Sequence, residues 1–219
     1  MSLDFKLTRK LAAPMLALTA LIALTGCQGI GWLAQGIAGG DKPEVEAPAD
    51  YTGLSNKSVA VLVSADDRTL FTYPTAPDRV CRYVSARLAT EVTGIRPLDP
   101  IQVAKYQRNN PDWIVVPYGE LAHQLKVDRI VHINLAQYTT HEPGNRELWQ
   151  GVIRARVGIS EADGKDASNF AYTGDISAIY PPDKPMGILN SDEETIQLGM
   201  VRSFAKKLAA RVTDRPPEK

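Results

Sequence analysis

The sequence predicts a single α/β (α+β) domain in which helices pack on a mixed parallel and antiparallel sheet, in the order β-α-β-α-α-β-β-β-α. Two observations lead to this prediction. Residues 59–63 form a continuous apolar run before a helical repeat, as in a buried strand that crosses over to a parallel neighbour. Residues 129–179 instead contain stretches of alternating apolar and polar side chains, which indicate antiparallel strands.

In the first half of the domain, helices connect short strands. Four apolar residues recur every fourth position and predict a helix over residues 78–92, which Gly94 ends as a C-cap. Residues 95–98 form a short strand. Asp99 and Pro100 then open a brief helix as N-cap and first helical residue, and a second short helix covers residues 118–125.

The second half predicts three strands and a final helix. The strands cover residues 129–138, 148–161 and 170–179, and the Asp163-Gly164 turn signal pairs the last two as an antiparallel hairpin. Ser191 and Glu194 match a capping box, which opens a helix running to about residue 212.

The amino terminus has the layout of a secretory signal. Basic residues come first, a 13-residue apolar stretch follows from Leu11 to Ala23, and Leu24-Thr25-Gly26-Cys27 closes the segment. These four residues resemble a lipobox, which implies cleavage between Gly26 and Cys27 and lipid modification of Cys27. The alternative is an uncleaved membrane anchor, because no charged residue occurs from Leu11 through Gly40. The glycines in the second half of that stretch disfavour a helix.

These features divide the chain into four parts. Residues 1–26 are predicted to be the signal peptide, 27–53 the lipidated terminus and a flexible tether, 54–213 the α/β domain, and 214–219 a tail. With Cys27 assigned to lipid, Cys81 has no partner for an intramolecular disulfide, and we expect it to be buried in its helix. Gln28 follows the cysteine, and in the enterobacterial sorting scheme this resemblance implies the outer membrane, with the domain facing the periplasm.

Charge and motifs favour no catalytic or nucleic-acid-binding class. The chain has 25 basic and 25 acidic side chains, and removal of the signal leaves a net charge of −2, so no basic surface for nucleic acid is indicated. His123, His132 and His141 lack metal-ligand spacing, and no phosphate loop or nucleophile motif occurs. We therefore predict no enzyme activity, no cofactor and no metal.

Two regions are candidates for binding. Asp66 and Asp67 follow the carboxyl end of the first strand, where α/β sheets often bind ligands, and could hold a cation or simply be solvated. Aromatic residues near element ends form a candidate protein interface, with ordinary packing at the rim of the core as the alternative. They are Trp113, Tyr118, Tyr138, Trp149 and Tyr180.

The order of elements resembles a group of bacterial outer-membrane lipoproteins. The group includes the curli-secretion lipoprotein, the lipoprotein activators of penicillin-binding proteins and the amino-terminal domain of the Tol-Pal translocation protein. The matching segments are residues 57–63, the helix ending at Leu88-Ala89, residues 127–131, and the strand and turn over residues 154–165. This resemblance extends over residues 54–212 and implies a non-catalytic protein.

Together these observations predict a membrane-anchored periplasmic lipoprotein that serves as a non-catalytic adaptor or accessory subunit in envelope assembly or transport. The expected partners are the membrane, through Cys27, and other envelope proteins, and self-association into a homo-oligomer stays open. The alternative is a domain that binds or converts a small ligand at the carboxyl end of the first strand.

Overall fold

The computed structural model of the chain describes residues 49–142, 144–164 and 166–213. The predicted cleavage site at Gly26 and Cys27, nearly all of the tether and the tail lie outside these residues. No helix in the described part is long and apolar enough to cross a membrane.

The described residues form a mixed sheet with helices packed on it, which confirms the predicted fold class and element order. The strands are β1 (Ser58–Ala65), β2 (Arg96–Pro97), β3 (Arg129–Glu142), β4 (Asn145–Glu161), β5 (Phe170–Tyr180) and β6 (Met186–Gly187). The helices are α1 (Asp67–Thr72), α2 (Ala76–Glu91), α3 (Pro100–Asn109), α4 (Tyr118–Leu125) and α5 (Glu193–Val212), with a 3-10 helix at Pro111–Val115.

The sheet has the order β2-β1-β3-β4-β5, and β6 adds to the outer end of β4. β1 pairs in parallel with β2 and β3, whereas β3, β4 and β5 form an antiparallel meander. The expected hairpin between the last two long strands is therefore present. β3 and β4 are longer than the alternation predicts, because they continue past the sheet core into a ribbon that β6 joins.

Two helices cover one face of the sheet. α2 and α5 lie side by side, and α5 packs so closely on β4 that a Cβ at Gly151 would lie 2.6 Å from the sulfur of Met200. The apolar side chains of Val61, Val131 and Ile133 are fully buried. The opposite face is partly covered by the 3-10 helix and α4, and strands β4 and β5 expose polar side chains there.

Local hydrogen bonds explain where the boundaries differ from those predicted. Residues 67–72 form a helix rather than a loop because the Asp66 carboxylate accepts the Thr69 amide at 2.8 Å and caps it. α5 begins after Asp192, whose carboxylate accepts the Thr195 amide, so the capping box at Ser191 and Glu194 is wrong by one residue. α2 ends at Glu91 with Val92 as its C-cap.

Gly94 is not the C-cap of α2 but belongs to the turn that follows. Its φ is +67°, and an added Cβ would lie 2.1 Å from the Oδ1 atom of Asn56. Glycine is thus required there both by the backbone conformation and by the close approach of a neighbouring loop. The Asp99 cap of α3 is confirmed, since its carboxylate accepts the Ile101 amide at 2.9 Å.

Candidate functional site

The chain enters the domain at the edge of the sheet where β1 and β3 begin, here called the basal edge. Asp50 accepts a hydrogen bond from Arg211 at 2.6 Å, and the Tyr51 hydroxyl donates to Glu161 at 2.6 Å. These contacts tie the chain to the end of α5 and the end of β4. The chain therefore contacts the domain from Asp50 onward, a few residues before Leu54, the predicted start of the domain.

A buried arginine organises the basal edge. Arg129 is 5% exposed, donates to the carbonyl of Gly53 at 3.1 Å and contacts the carboxylates of Asp163 and Glu161. Hydrogen bonds from Lys57 and Arg129 hold the pKa of Asp163 at about 2. A buried guanidinium must be paired to be tolerated. Arg129, at the start of β3, therefore joins the entering chain at Gly53 to the end of β4 at Glu161 and to Asp163 in the turn that follows.

The opposite edge, here called the distal edge, is formed by the ends of β1 and β3 and the start of α5. Thr140 of β3 connects these elements, because it hydrogen-bonds with Tyr73 just after α1 at 2.9 Å and donates to Glu193 of α5 at 3.0 Å. The segment after β6 lies at the same edge, since the amide of Ile188 donates to the carbonyl of Glu147 at 3.1 Å.

Large apolar side chains protrude from two segments at the distal edge. Phe71 in α1 is 91% exposed, and Leu189 after β6 is 96% exposed. Their neighbours Leu70 and Ile188 are 40% and 46% exposed. Single exposed apolar residues are ordinary on protein surfaces. Here two pairs of adjacent apolar residues are exposed at the same edge. We call these four residues the distal apolar set.

β3 fixes the distance between the two edges. It has 14 residues, from Arg129 at the basal edge to Glu142 beyond the sheet core. At about 3.4 Å per residue it spans roughly 45 Å. Residues 50–53, where the described chain enters the domain, and the distal apolar set therefore lie towards opposite ends of β3.

The carboxyl end of β1 is less suited to a cation than the sequence suggests. Asp66 uses its carboxylate to cap α1, and its hydrogen bonds with Thr69 lower its pKa. Within the described residues no group of three or more histidine, cysteine, aspartate or glutamate side chains could hold a metal ion. A groove of about 360 Å³ does lie beside Asp66, with Arg68, Tyr73 and Gln137 in its lining.

A buried polar network lies between the sheet and α4. The imidazole of His132 hydrogen-bonds with the Ser64 hydroxyl at 2.9 Å through Nε2 and with the Tyr118 hydroxyl at 2.9 Å through Nδ1. Trp113 meets the imidazole edge-on, and the Phe170 ring lies against Tyr118. The ring of His132 is therefore largely shielded from solvent, and the residue is 9% exposed.

A hydroxyl beside an imidazole can act as an activated nucleophile, but burial opposes that role here. Ser64 and His132 are 8% and 9% exposed, so little of either side chain is accessible to a substrate. Burial also lowers the pKa of His132 to about 4. The network thus holds α4 against the sheet through satisfied hydrogen bonds.

The five aromatic residues of the predicted interface do not form one surface. Trp113 and Tyr138 are 8% and 3% exposed and belong to the core, so they offer a partner almost no area. Tyr118 binds His132, Trp149 stacks on His141 with ring centres 4.1 Å apart, and Tyr180 packs on Gly199. Burial removes two members from the accessible surface, and an interface through the other three stays a prediction.

The distal apolar set was not predicted, because its members lie in stretches for which the sequence predicts neither a strand nor a helix. A signal was available: Leu70-Phe71 and Ile188-Leu189 are the large apolar pairs in two otherwise polar stretches. One further prediction is confirmed, since Cys81 is a buried free cysteine. His123, which lacks metal-ligand spacing, is exposed on α4.

Comparison with known proteins gives structural likenesses only. No family model matches the chain, and no curated protein sequence matches it. The lipoprotein GNA1162 from Neisseria meningitidis is 15% identical with a TM-score of 0.45, covering 69% of this chain and 97% of that one. The PelC dodecamer from Paraburkholderia phytofirmans is 8% identical with a TM-score of 0.46, covering 77% and 95%.

Protein XCC0632 from Xanthomonas campestris is 10% identical with a TM-score of 0.41, covering 74% of this chain and 88% of that one. All three TM-scores lie below 0.5, and we draw no conclusion about function from them. The resemblance to the curli-secretion, penicillin-binding-protein activator and Tol-Pal group stays a prediction.

Proposed function

We propose that this protein is a bacterial envelope lipoprotein whose α/β domain is a non-catalytic adaptor, anchored through lipid on Cys27 and binding another envelope protein at the distal edge. The proposal depends on one observation: the chain enters at one end of the domain and the exposed apolar side chains lie at the other. The chain enters at the basal edge, where Arg211, Glu161 and Arg129 hold it. The distal apolar set protrudes at the other end of β3.

The anchor rests on the sequence. Lipid chains on Cys27 would hold the protein at a membrane with about 0.8 kcal/mol for each buried methylene group. Residues 28–48 between Cys27 and the described chain reach at most roughly 70 Å when fully extended. Gln28 after the cysteine supports sorting of the lipoprotein to the outer membrane, with the domain in the periplasm. Such a tether lets the domain meet a partner well away from the membrane surface.

The distal apolar set supports protein binding rather than ligand binding. Interfaces gain most of their affinity from a few apolar and aromatic side chains that become buried on association. Phe71 and Leu189 are almost fully exposed in the free domain and would gain the most from burial. The small-ligand alternative at the carboxyl end of β1 is supported by the groove beside Asp66, but that carboxylate already caps α1.

A pull-down from chemically crosslinked cells tests the proposal. The full lipidated chain is compared with Cys27→Ser, with a Phe71→Asp and Leu189→Asp double variant, and with Val115→Asp as a control. Val115 is 77% exposed and lies in the 3-10 helix, outside the distal apolar set. Mass spectrometry identifies and quantifies the recovered proteins.

We expect a defined set of envelope proteins with the wild type and with Val115→Asp. We expect these proteins to be lost from Cys27→Ser and reduced at least tenfold with the double variant. Recovery of the same proteins with the double variant would overturn the distal interface. Recovery of this chain alone would contradict the adaptor proposal and would favour an envelope protein that self-associates.

A further inference from the structure

We infer that a groove between α2 and the β2–α3 connection binds a small monoanionic amphiphile, a molecule with one apolar chain and one carboxylate or phosphate. The groove has a volume of about 700 Å³, within the range of small-molecule sites. It lies apart from the distal apolar set, and the inference does not depend on the proposed adaptor function.

The walls of the groove are apolar. α2 contributes Tyr83 and Ala86, the end of β2 contributes Pro97, the β2–α3 connection contributes Leu98, and Leu198 of α5 also lines the groove. Ile101, which also lines the groove, is 71% exposed. An alkyl chain laid against these side chains would be removed from water and would cover Ile101, so burial of apolar surface favours an occupant.

One residue that lines the groove has a buried polar atom without a hydrogen-bond partner among the described residues. Ser85 lines the groove and is 4% exposed, and its hydroxyl makes no hydrogen bond of acceptable geometry in the described part of the chain. The nearby thiol of Cys81 donates instead to the carbonyl of Val61 at 3.2 Å. A buried hydroxyl without a partner is costly, and a ligand oxygen that reached it from the groove would remove that cost.

One charged side chain at the rim is placed to bind an anion. Glu194 is paired with Arg79 at 3.3 Å, and Asp99 accepts the Ile101 amide as the cap of α3. Arg82 also lines the groove and is exposed, with no carboxylate within 4.0 Å among residues 49–142, 144–164 and 166–213. The one cation at the rim without a carboxylate partner is therefore placed to bind a carboxylate or phosphate through charge-assisted hydrogen bonds.

Photocrosslinking of the full lipidated chain in native membranes tests this inference. The probe is a twelve-carbon fatty acid that carries a diazirine on its chain, and dodecanoate and dodecanol are the competitors. Labelled peptides are mapped by mass spectrometry in the wild type, in Ala86→Trp, which fills the groove, and in Arg82→Glu, which reverses the rim charge. Arg154→Glu, on the exposed face of β4, is the matched charge control. Circular dichroism checks that each variant folds.

We expect the label on peptides of α2 and of residues 97–101, with dodecanoate competing about tenfold better than dodecanol, the difference that one charge-assisted contact supplies. Ala86→Trp should lose the label, Arg82→Glu should need about tenfold more probe, and Arg154→Glu should match the wild type. Labelling that is unsaturable, lies outside the groove or persists in folded Ala86→Trp would overturn the site. Equal competition by dodecanol would overturn the requirement for an anion.

Discussion

At the residue scale, His132 shows how burial sets chemistry. Its two ring nitrogens hydrogen-bond with the hydroxyls of Ser64 and Tyr118. A hydroxyl can donate or accept, so these partners suit the neutral ring, which donates from one nitrogen and accepts at the other, and they also suit the charged ring, which donates from both. Burial disfavours the charged ring and lowers the pKa of His132 to about 4.

This shift predicts a loss of stability in acid. The unfolded chain binds a proton on His132 near its ordinary pKa of about 6.5, whereas the folded chain resists protonation until about 4. The free energy of unfolding should therefore fall by up to about 3 kcal/mol as the pH falls from 6.5 to 4. Denaturant unfolding followed at several pH values in that window measures this dependence.

His132→Gln removes the titrating group and should flatten this dependence, although the variant is less stable at neutral pH. His123→Gln is the control, because His123 is exposed on α4. If His132→Gln and the wild type lost stability in parallel between pH 6.5 and 4, the buried imidazole would not be the cause.

Cys81 illustrates the same effect on a thiol. It is 3% exposed, and burial raises its pKa to about 12. Because the thiolate is the reactive form, we predict that iodoacetamide at pH 8 leaves Cys81 unmodified in the folded protein and alkylates it fully in denaturant. Mass spectrometry of the intact chain counts the added groups, and rapid alkylation of the folded chain would contradict the burial of this side chain.

At the element scale, α5 depends on one carboxylate for its start. Asp192 accepts hydrogen bonds from the amide of Thr195 at 2.8 Å and from its hydroxyl at 3.0 Å. The Ser191 hydroxyl, which the sequence favoured as the cap, is buried without a hydrogen-bond partner among the described residues. The two neighbouring residues therefore have different roles, although both are good capping types.

We predict that Asp192→Ala lowers the melting temperature by several degrees, because two donors at the start of α5 lose their acceptor. Ser191→Ala removes an oxygen that accepts nothing and should leave the melting temperature nearly unchanged. Thermal unfolding followed by circular dichroism compares the two variants. A larger drop for Ser191→Ala than for Asp192→Ala would restore the capping box that the sequence suggested.

α5 also contains a glycine where its packing requires one. A Cβ at Gly199 would lie 2.2 Å from the ring of Tyr180, so the ring of the last residue of β5 lies directly on the helix backbone. Glycine lowers helix propensity by about 1 kcal/mol relative to alanine. Here that cost is outweighed by the close approach of an aromatic ring.

Gly199→Ala should therefore destabilise the domain by about 1–3 kcal/mol, as overpacked cores do, despite the better helix former. Adding Tyr180→Ala removes the clash, so the double variant should be less destabilised than the sum of the two single variants. Denaturant titrations give the four free energies of this cycle. Additive effects would mean that the ring and the helix are not in contact.

At the scale of the whole molecule, membrane attachment and folding are predicted to be separable. The core is formed by described residues of the sheet, α2 and α5, and the predicted lipid on Cys27 is separated from the described chain by residues 28–48. Asp50 and Tyr51, near the end of the predicted tether, already contact the domain at the basal edge. Loss of the anchor should release the domain from the membrane without unfolding it.

We predict that a Cys27→Ser chain, exported behind a cleavable secretory signal, fractionates with soluble periplasmic proteins and keeps the circular dichroism and melting temperature of the lipidated protein. Cell fractionation and thermal unfolding of both forms measure this outcome. An unfolded soluble form would show that the anchor or the membrane contributes to the fold.

The sequence by itself determined the class of the fold and the order of its elements. The run from Val59 to Val63 and the alternation along β3, β4 and β5 are local patterns, and hydrophobic burial depends directly on such periodicity. The cap at Asp99 and the burial of Cys81 were predictable for the same reason. The lipid anchor is likewise a prediction from a local motif, the four residues ending at Cys27.

Only the tertiary structure decided which side chains meet. Ser64, Tyr118 and His132 come from three elements, and Arg129 joins the entering chain to the turn at Asp163 across the sheet. Trp113 is buried and Phe71 is exposed because neighbouring elements cover the first side chain and leave the second uncovered. No local sequence pattern contains that information. The groove beside Arg82 arises from packing between α2, the β2–α3 connection and α5, so residues distant in sequence create it together.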